Sequence, residues 1–249
     1  MAKQIWKPGN MLYPLPAVMV STADKSGRSN IITVAWTGTV CTNPAMLYIS
    51  VRPERYSYNL LKDSGEFVVN LTTEKLKKAT DWCGVRSGRD VDKWKEMHLT
   101  AGKASKLDHA PIIEECPVNI ECKVTEIKEL GSHHMFLAKV EAVQVGEEYL
   151  DKKGRLQLGK AGLLAYSHGE YLTLGKTLGT FGWSVRKLSA SGKKKRHHEN
   201  ERNKNKINVG RQNADAFLIP CVRNKGMSME FSVFAYSKMK WWYVGTAWN

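Results

Sequence analysis

The sequence predicts a mainly β protein with a few helices, folded as an antiparallel barrel. Short runs rich in Val, Ile, Thr and aromatic residues follow one another closely, and only two segments have the spacing expected of helices. Two long alternating runs, residues 118–127 and 134–145, flank a short connection that contains Gly131, which is typical of an antiparallel pair. Strands do not alternate with helices, and no G-x-G-x-x-G motif follows a strand, so a doubly wound dinucleotide-binding sheet is not expected.

The first part of the chain predicts four strands and one helix. The residues at 24–28 form a turn in which Gly27 can adopt a positive φ, and the polar residues 37–41 are expected to form a tight turn between two strands. Pro53 opens the helix near its first turn, and the helix ends before Gly65. The predicted strands are residues 16–23, 30–36, 44–51 and 66–71, and the helix is residues 54–62.

The next elements are a helix and a loop. We expect a helix at residues 73–82, capped by Thr72 or Thr73, followed by a polar loop at residues 84–95. Beyond the antiparallel pair, the chain leads through residues 156–165 to Tyr166, Tyr171 and a Gly-rich stretch at 174–187.

The composition changes after Lys187. The stretch at 192–213 lacks the apolar positions that offset the entropy of ordering, so it is expected to be disordered. The net charge of the chain is +14, and the last 62 residues hold 12 Lys/Arg against 4 Asp/Glu. We therefore expect a domain of residues 1–187, a basic linker of residues 188–213 and an appendage of residues 214–249 with unknown fold, as a read-through or shifted reading frame would produce. The alternative is a basic arm that contacts nucleic acid or a partner.

Composition also narrows the class of protein. No apolar run approaches the roughly 20 residues of a membrane-spanning helix, and the first ten residues contain no long apolar segment, so neither a membrane protein nor a secreted one is expected. The five cysteines form no C-x-x-C pair, which argues against a zinc site or a disulfide framework and favours a reducing cytoplasm. We expect no metal site.

Residues 30–59 carry the strongest chemical signal. The strand at 44–51 runs into Ser50-Val51-Arg52-Pro53-Glu54-Arg55-Tyr56-Ser57, so hydroxyls, arginines and a helix start meet at one strand end. Free N–H groups of a helix N-terminus and arginine side chains favour a phosphate. The residues just upstream have the small or polar character needed to line a flat polar ring. The segment predicts a phosphorylated planar cofactor, with these candidate ligands: Thr37, Gly38, Thr39, Cys41, Ser50, Arg52, Arg55 and Ser57.

Several blocks resemble, in the same order, the flavin reductase-like family of FMN-binding split barrels, and within it the flavoredoxin group. The resemblance spans residues 10–187 and implies an antiparallel Greek-key split barrel, FMN as cofactor and a homodimer with sites near the subunit interface. The blocks are residues 14–71, WCGVRSGRDVDKW (82–94), ECPVNIECKV (115–124), LGSHHMFLAKV (130–140) and LGKTLGTFGWSVRK (174–187).

The resemblance also implies roles for individual residues. It places Asn30, Trp36 and Lys93 on the phosphate side of FMN, with Lys93 reaching in from the 87–95 loop. It places Thr33 with the 37–41 segment along the ring, and Tyr166 near the cofactor.

One histidine is implied as part of the donor site. His133 in Gly131-Ser132-His133 matches a G-D-H segment in which the histidine is associated with the nicotinamide donor, although Ser132 replaces the acid. For several of these residues, a structural role without cofactor contact stays open. Asn30 and Thr33 could be ordinary strand-edge residues, and Trp36 could be a core residue. Lys93 and His133 could be solvated, and Cys41 could be a buried apolar residue.

The resemblance implies an FMN-dependent oxidoreductase. Electrons would pass from NAD(P)H or a reduced carrier through FMN to free flavin, a small acceptor or a partner protein. An electron-transfer flavoprotein without NAD(P)H activity is the first alternative. A nucleic-acid binder acting through the basic tail is a second, and a pyridoxamine-phosphate oxidase-like enzyme is a related reading that the blocks fit less well.

Overall fold

Strands dominate the structure, which is a computed structural model that describes residues 1–186. The unit Met1–Gly175 holds every strand and α-helix in that range. A second unit begins at Lys176, and its described part contains the 3-10 helix Trp183–Val185. The linker predicted at residues 188–213 and the appendage predicted at 214–249 lie outside the described residues.

The elements are as follows. The strands are β1 (Leu15–Pro16), β2 (Val18–Ala23), β3 (Ser29–Val34), β4 (Thr37–Thr42), β5 (Ala45–Val51), β6 (Glu66–Leu71), β7 (Ala101–Gly102), β8 (Ile112–Ile113), β9 (Val118–Leu130), β10 (His133–Val145), β11 (Leu164–Ser167) and β12 (Glu170–Thr173). The helices are α1 (Tyr56–Ser64), α2 (Lys77–Val85) and α3 (Lys93–Glu96).

Seven strands form one antiparallel sheet in the order β3-β2-β6-β9-β10-β5-β4. The two edge strands, β3 and β4, are consecutive in the chain and are joined by Ala35 and Trp36, so the sheet curls until its edges approach each other. Side chains of β3 and β5 share one core, which confirms the predicted antiparallel barrel. Two small sheets, β1-β11-β12 and β7-β8, complete the fold.

The barrel core follows from strand alternation, because successive side chains of a strand point to opposite faces. Ile32 and Val34 of β3 point inward, where Phe67 and Phe136 are fully buried. Ile31, the residue before Ile32, points to the opposite face, into a second cluster formed with α2. Asn30, two residues before Ile32, lies on the same inner face of β3 by this alternation.

The strand predictions are largely confirmed. β6 has the predicted bounds, and β9 and β10 pair antiparallel, each longer than predicted. The turn predicted at residues 37–41 is wrong, because β4 is an edge strand that pairs with β5, with a register shift between Thr39 and Cys41. The β-branched residues of this segment favour the extended backbone once β5 offers a partner.

The helix predictions need two corrections. α1 begins at Tyr56 rather than at residue 54, because Pro53 lies inside a β-turn closed by the Arg55 N–H to Arg52 carbonyl bond. The helix predicted at 73–82 is a 3-10 turn, Glu74–Leu76, followed by α2, and the Thr72 hydroxyl donates to the Ala17 carbonyl instead of capping. None of the helices within residues 1–186 is both long and apolar enough to cross a membrane.

Candidate functional site

A buried polar pair joins β3 to the start of α1. Asn30 lies at the inward-facing start of β3, and Ser57 is the second residue of α1. The Asn30 side-chain amide donates to Ser57 Oγ at 2.8 Å, and the two residues are 4% and 1% exposed. The first N–H groups of a helix have no intrahelical partner, so hydrogen-bond donors are concentrated at this point.

Immediately before α1 lies a four-residue β-turn, residues 52–55, which we call the arginine turn. Its first and last residues are Arg52 and Arg55, and Arg52 Nε pairs with the Glu54 carboxylate at 2.6 Å. Burial lowers the pKa of Arg55, and the positive charge of Arg52 lowers it further, while Glu54 opposes the change. The turn therefore brings two like charges together at a helix N-terminus.

A loop after α2 packs against both features. A Cβ on Gly88 would lie 2.3 Å from Asn30 Oδ1 and 2.6 Å from Tyr56 Cδ1, so only glycine allows this close approach. The adjacent Arg89 donates from Nη2 to the Glu54 carbonyl at 3.1 Å and lies over the Tyr56 ring. Sequence reasoning missed both residues; the only available signal was the small, basic run RSGR inside the block at 82–94.

Lys93 is buried rather than solvated, and it lies on α3 rather than on a loop. Its Nζ donates to the Ile31 and Cys83 carbonyls, each at 2.7 Å, so it ties β3 to α2. Burial lowers the pKa of Lys93 to about 8; Cys83 opposes this lowering and Arg55 adds to it. The positive charge of Arg55 thus acts on Lys93, and contact of Lys93 with a phosphate stays a prediction.

Trp36 and His133 form a stacked pair. Their ring centroids are 6.0 Å apart with an interplanar angle of 15°. Trp36 is 37% exposed, so it is not a buried core residue. Ser132 Oγ lies 3.0 Å from His133 Nδ1. Burial and then Arg52 lower the pKa of His133, with Glu54 opposing, so the surroundings favour the neutral imidazole.

The neighbouring His134 points to the other face of β10. Its Nδ1 lies 2.7 Å from the Tyr58 hydroxyl, and the two rings meet edge to face. This contact ties β10 to α1, so the strand that carries His133 and the helix that carries Ser57 are directly connected.

The predicted ring-side residues lie on β4 and β5. The Thr37 hydroxyl donates to the Tyr48 carbonyl at 2.6 Å, and Gly38 faces the Tyr48 ring. Thr39 is exposed and Cys41 is half-buried. Because β4 is the last strand of the sheet, its outer backbone groups have no strand partner within residues 1–186. Ser50 donates its N–H to the Trp36 carbonyl, which joins this strand pair to the stacked rings.

Two predicted residues are engaged elsewhere. The Thr33 hydroxyl donates to the Thr80 carbonyl of α2. Tyr166 lies on β11, where its ring packs edge to face with Tyr13 and Tyr171. Their roles at a cofactor stay predictions. Within the described residues, no group of three or more His, Cys, Asp or Glu side chains could hold a metal ion.

Comparison with known proteins decides the family. Residues 11–175 match the model of the flavin reductase-like domain. The chain belongs to the flavin reductase-like family. This family of FMN-binding flavoproteins has a split-barrel fold, as the curled sheet with adjacent β3 and β4 edges also shows.

Solved structures support the same placement. The flavoredoxin of Desulfovibrio vulgaris (Miyazaki F) is 27% identical with a TM-score of 0.69, and the match covers 74% of this chain and all of that one. The flavoredoxin of Methanosarcina acetivorans is 30% identical with a TM-score of 0.66 and the same coverage. An FMN-binding protein from Thermus thermophilus is 27% identical with a TM-score of 0.60, covering 72% of this chain and 98% of that protein.

Proposed function

We propose that this protein binds FMN and acts as a flavin reductase-like oxidoreductase. The observation that carries the proposal is the arginine turn at the N-terminus of α1, next to the Asn30–Ser57 pair. Two arginines at the ends of one turn repel each other, and a dianionic phosphate placed there would offset that repulsion and accept charge-assisted hydrogen bonds. The name of the FMN-binding protein of Thermus thermophilus adds support for a flavin.

The described residues suit both the phosphate and the ring of FMN. Arg52, Arg55 and Ser57 would hold the phosphate, and Gly88 would leave room for the close packing around Asn30. The outer edge of β4 would offer backbone groups to the polar rim of the ring. Bound FMN supplies the redox chemistry, accepting electrons from a reduced donor and passing them to an acceptor.

Binding is tested first. Purified protein is expected to be yellow, to keep its colour through dialysis, and to bind FMN more tightly than riboflavin, which lacks the phosphate. Arg55→Gln should weaken FMN binding more than riboflavin binding, while Arg86→Gln, a change at an exposed arginine of the 86–89 loop, should change neither. Equal wild-type affinity for FMN and riboflavin would contradict the phosphate site.

The proposed donors are NAD(P)H or a reduced carrier, and the proposed acceptors are free flavin, a small molecule or a partner protein. His133 would lie beside the donor and would be oriented by Ser132. Anaerobic mixing with NADH, NADPH and reduced ferredoxin, followed at the flavin absorbance band, distinguishes the donors. Bleaching by a pyridine nucleotide is expected.

A second candidate is an electron-transfer flavoprotein without NAD(P)H activity. The specific observation in its favour is the hydroxyl of Ser132 at His133, where the resembling segment carries an acid. A hydroxyl does not stabilise a charged imidazole as a carboxylate does. Bleaching by reduced ferredoxin, with neither pyridine nucleotide effective, would favour this candidate over the first.

We further propose a homodimer that resides in the cytoplasm. Ile5, Trp6 and Leu12 near the N-terminus are 102%, 73% and 83% exposed, and Val40 on the β4 edge is 50% exposed, so apolar surface remains to be covered. The cysteines at 41, 83, 116 and 122 are free thiols, which fits a reducing compartment. Light scattering should give twice the chain mass, and dilution to monomers should weaken FMN binding. A monomer with full affinity would contradict a site at the subunit interface.

A further inference from the structure

Arg89 makes a contact that the predicted site does not explain. It lies on the loop after α2, where its Nη2 donates to the Glu54 carbonyl at 3.1 Å. Its guanidinium lies 5.8 Å from the centre of the Tyr56 ring. Both partners belong to the segment that leads into α1, so Arg89 contacts the chain at the point where the arginine turn is followed by the helix.

The charge of Arg89 is unfavourably placed for stability alone. Glu54 directly precedes Arg55, the N-cap of α1, and this end of a helix favours anions and disfavours cations. Arg52 and Arg55 add two further positive charges to the same turn. The one carboxylate in the turn, on Glu54, already pairs with Arg52. A third arginine here makes sense electrostatically if the turn serves an anion.

The geometry shows what Arg89 does to the turn. Arg52 holds the side chain of Glu54 and Arg89 holds its carbonyl, so Glu54 is restrained from two directions. The adjacent Gly88 packs flush against Asn30 and Tyr56. The loop therefore contacts the arginine turn at Glu54 and the first residue of α1 at Tyr56, on either side of Arg55 in the chain.

We propose that Arg89 is a positioning residue for phosphate binding: it holds the arginine turn so that Arg52 and Arg55 are arranged for the anion before it arrives. A preorganised site binds more tightly because less ordering is required on binding. This proposal rests on the proposed function, and it adds a residue outside the predicted ligand set.

The test compares FMN with riboflavin in wild type, Arg89→Met and Arg86→Met. Arg89→Met keeps an apolar stem but removes the donor and the charge, and it is expected to weaken FMN binding about 3- to 10-fold, the scale of a single exposed cation–π contact or hydrogen bond. Riboflavin affinity should change less than about twofold, because riboflavin does not use the arginine turn. Arg86→Met is the matched control at an exposed arginine of the same loop, and Arg89→Lys should recover part of the loss.

The ratio of the two affinities is the deciding measurement, since a merely structural role for Arg89 would weaken both ligands together. Equal losses for FMN and riboflavin, or no loss for either, would overturn the proposal. If the wild-type protein bound FMN no more tightly than riboflavin, both the phosphate site and the role of Arg89 would be contradicted. This outcome needs only the wild-type measurement, so it is distinguishable from a failure of the Arg89 proposal alone. Thermal unfolding of Arg89→Met and Arg89→Lys reports whether each variant is folded.

Discussion

The side-chain amide of Asn30 donates to the Ser57 hydroxyl at 2.8 Å, in a place almost closed to water. The two residues are 27 positions apart, one at the start of β3 and one in the first turn of α1. A buried polar group that loses its partner is costly, so this bond fixes the helix start against the strand. The phosphate site proposed here is built on that junction.

Ser57→Ala is expected to lower both stability and FMN affinity. The change leaves the buried Asn30 amide without its acceptor, which costs about 1–3 kcal/mol of unfolding free energy. Urea denaturation and FMN titration measure the two effects. Ser64→Ala is the matched control in the same helix, where the hydroxyl donates to the Leu60 carbonyl at the opposite end; it should leave FMN affinity unchanged. Equal FMN losses in both variants would argue against a local role for Ser57.

Gly88→Ala should disturb the same pair from the other side. The new Cβ would lie 2.3 Å from Asn30 Oδ1, so Asn30 must turn away and weaken its bond to Ser57. We expect lower FMN affinity and a lower melting temperature. Gly159→Ala, where nothing lies within 4 Å of the added carbon, is the control. Because both changes act on one contact, the loss in Gly88→Ala/Ser57→Ala should be smaller than the sum of the single losses.

Lys93 should make stability depend on alkaline pH. Its folded pKa, lowered by burial to about 8, lies below the ordinary value of 10.5, so between these values the unfolded chain binds more protons. Unfolding free energy therefore rises with pH through this window. Relative to Lys93→Met, wild type should gain stability from pH 8 to pH 10.5, by at most about 3 kcal/mol.

Chemical denaturation of both proteins at several pH values measures this difference. Lys95→Met, an exposed lysine of the same helix, is the control and should follow the wild-type profile. Parallel curves for wild type and Lys93→Met would show that Lys93 does not titrate in this window.

Glu121 should have the opposite pH dependence. It is fully buried, and its carboxylate accepts from the Ser105 and Lys106 N–H groups, the Ser105 hydroxyl and the Gln144 amide. Burial alone would raise the pKa of Glu121, but these hydrogen bonds outweigh it and lower the pKa below 4.5. The stabilisation is thus present above pH 4.5 and is lost as pH falls further.

Glu121→Gln is expected to cost about 1.5–3 kcal/mol at pH 7, the scale of hydrogen bonds to a charged group. The difference from wild type should shrink as the pH is lowered below 4.5. Glu126→Gln, on the exposed part of the same strand, is the control and should cost little at any pH. A constant difference down to pH 3 would argue against an ionised Glu121.

Local pattern predicted much of the fold. β6 and the β9–β10 pair were predictable because alternation and β-branched residues report directly on a strand with one buried face. β4 was not, since its extended backbone depends on pairing with β5 and its sequence resembles a polar turn. The helix start at Tyr56 was misplaced by two residues because Pro53 suits both a helix first turn and a β-turn.

For the candidate site, the sequence alone determined which groups are available: arginines at 52 and 55, a hydroxyl at 57, and a small polar run at 37–41, all close together in the chain. Only the tertiary structure decided how they are used. It buried Lys93 between two carbonyls, stacked His133 on Trp36, and brought Gly88 against Asn30 and Tyr56 and Arg89 onto the arginine turn. The physical reason is that burial and pairing between residues tens of positions apart depend on the packing of β3, α1 and the loop after α2, which no local pattern contains.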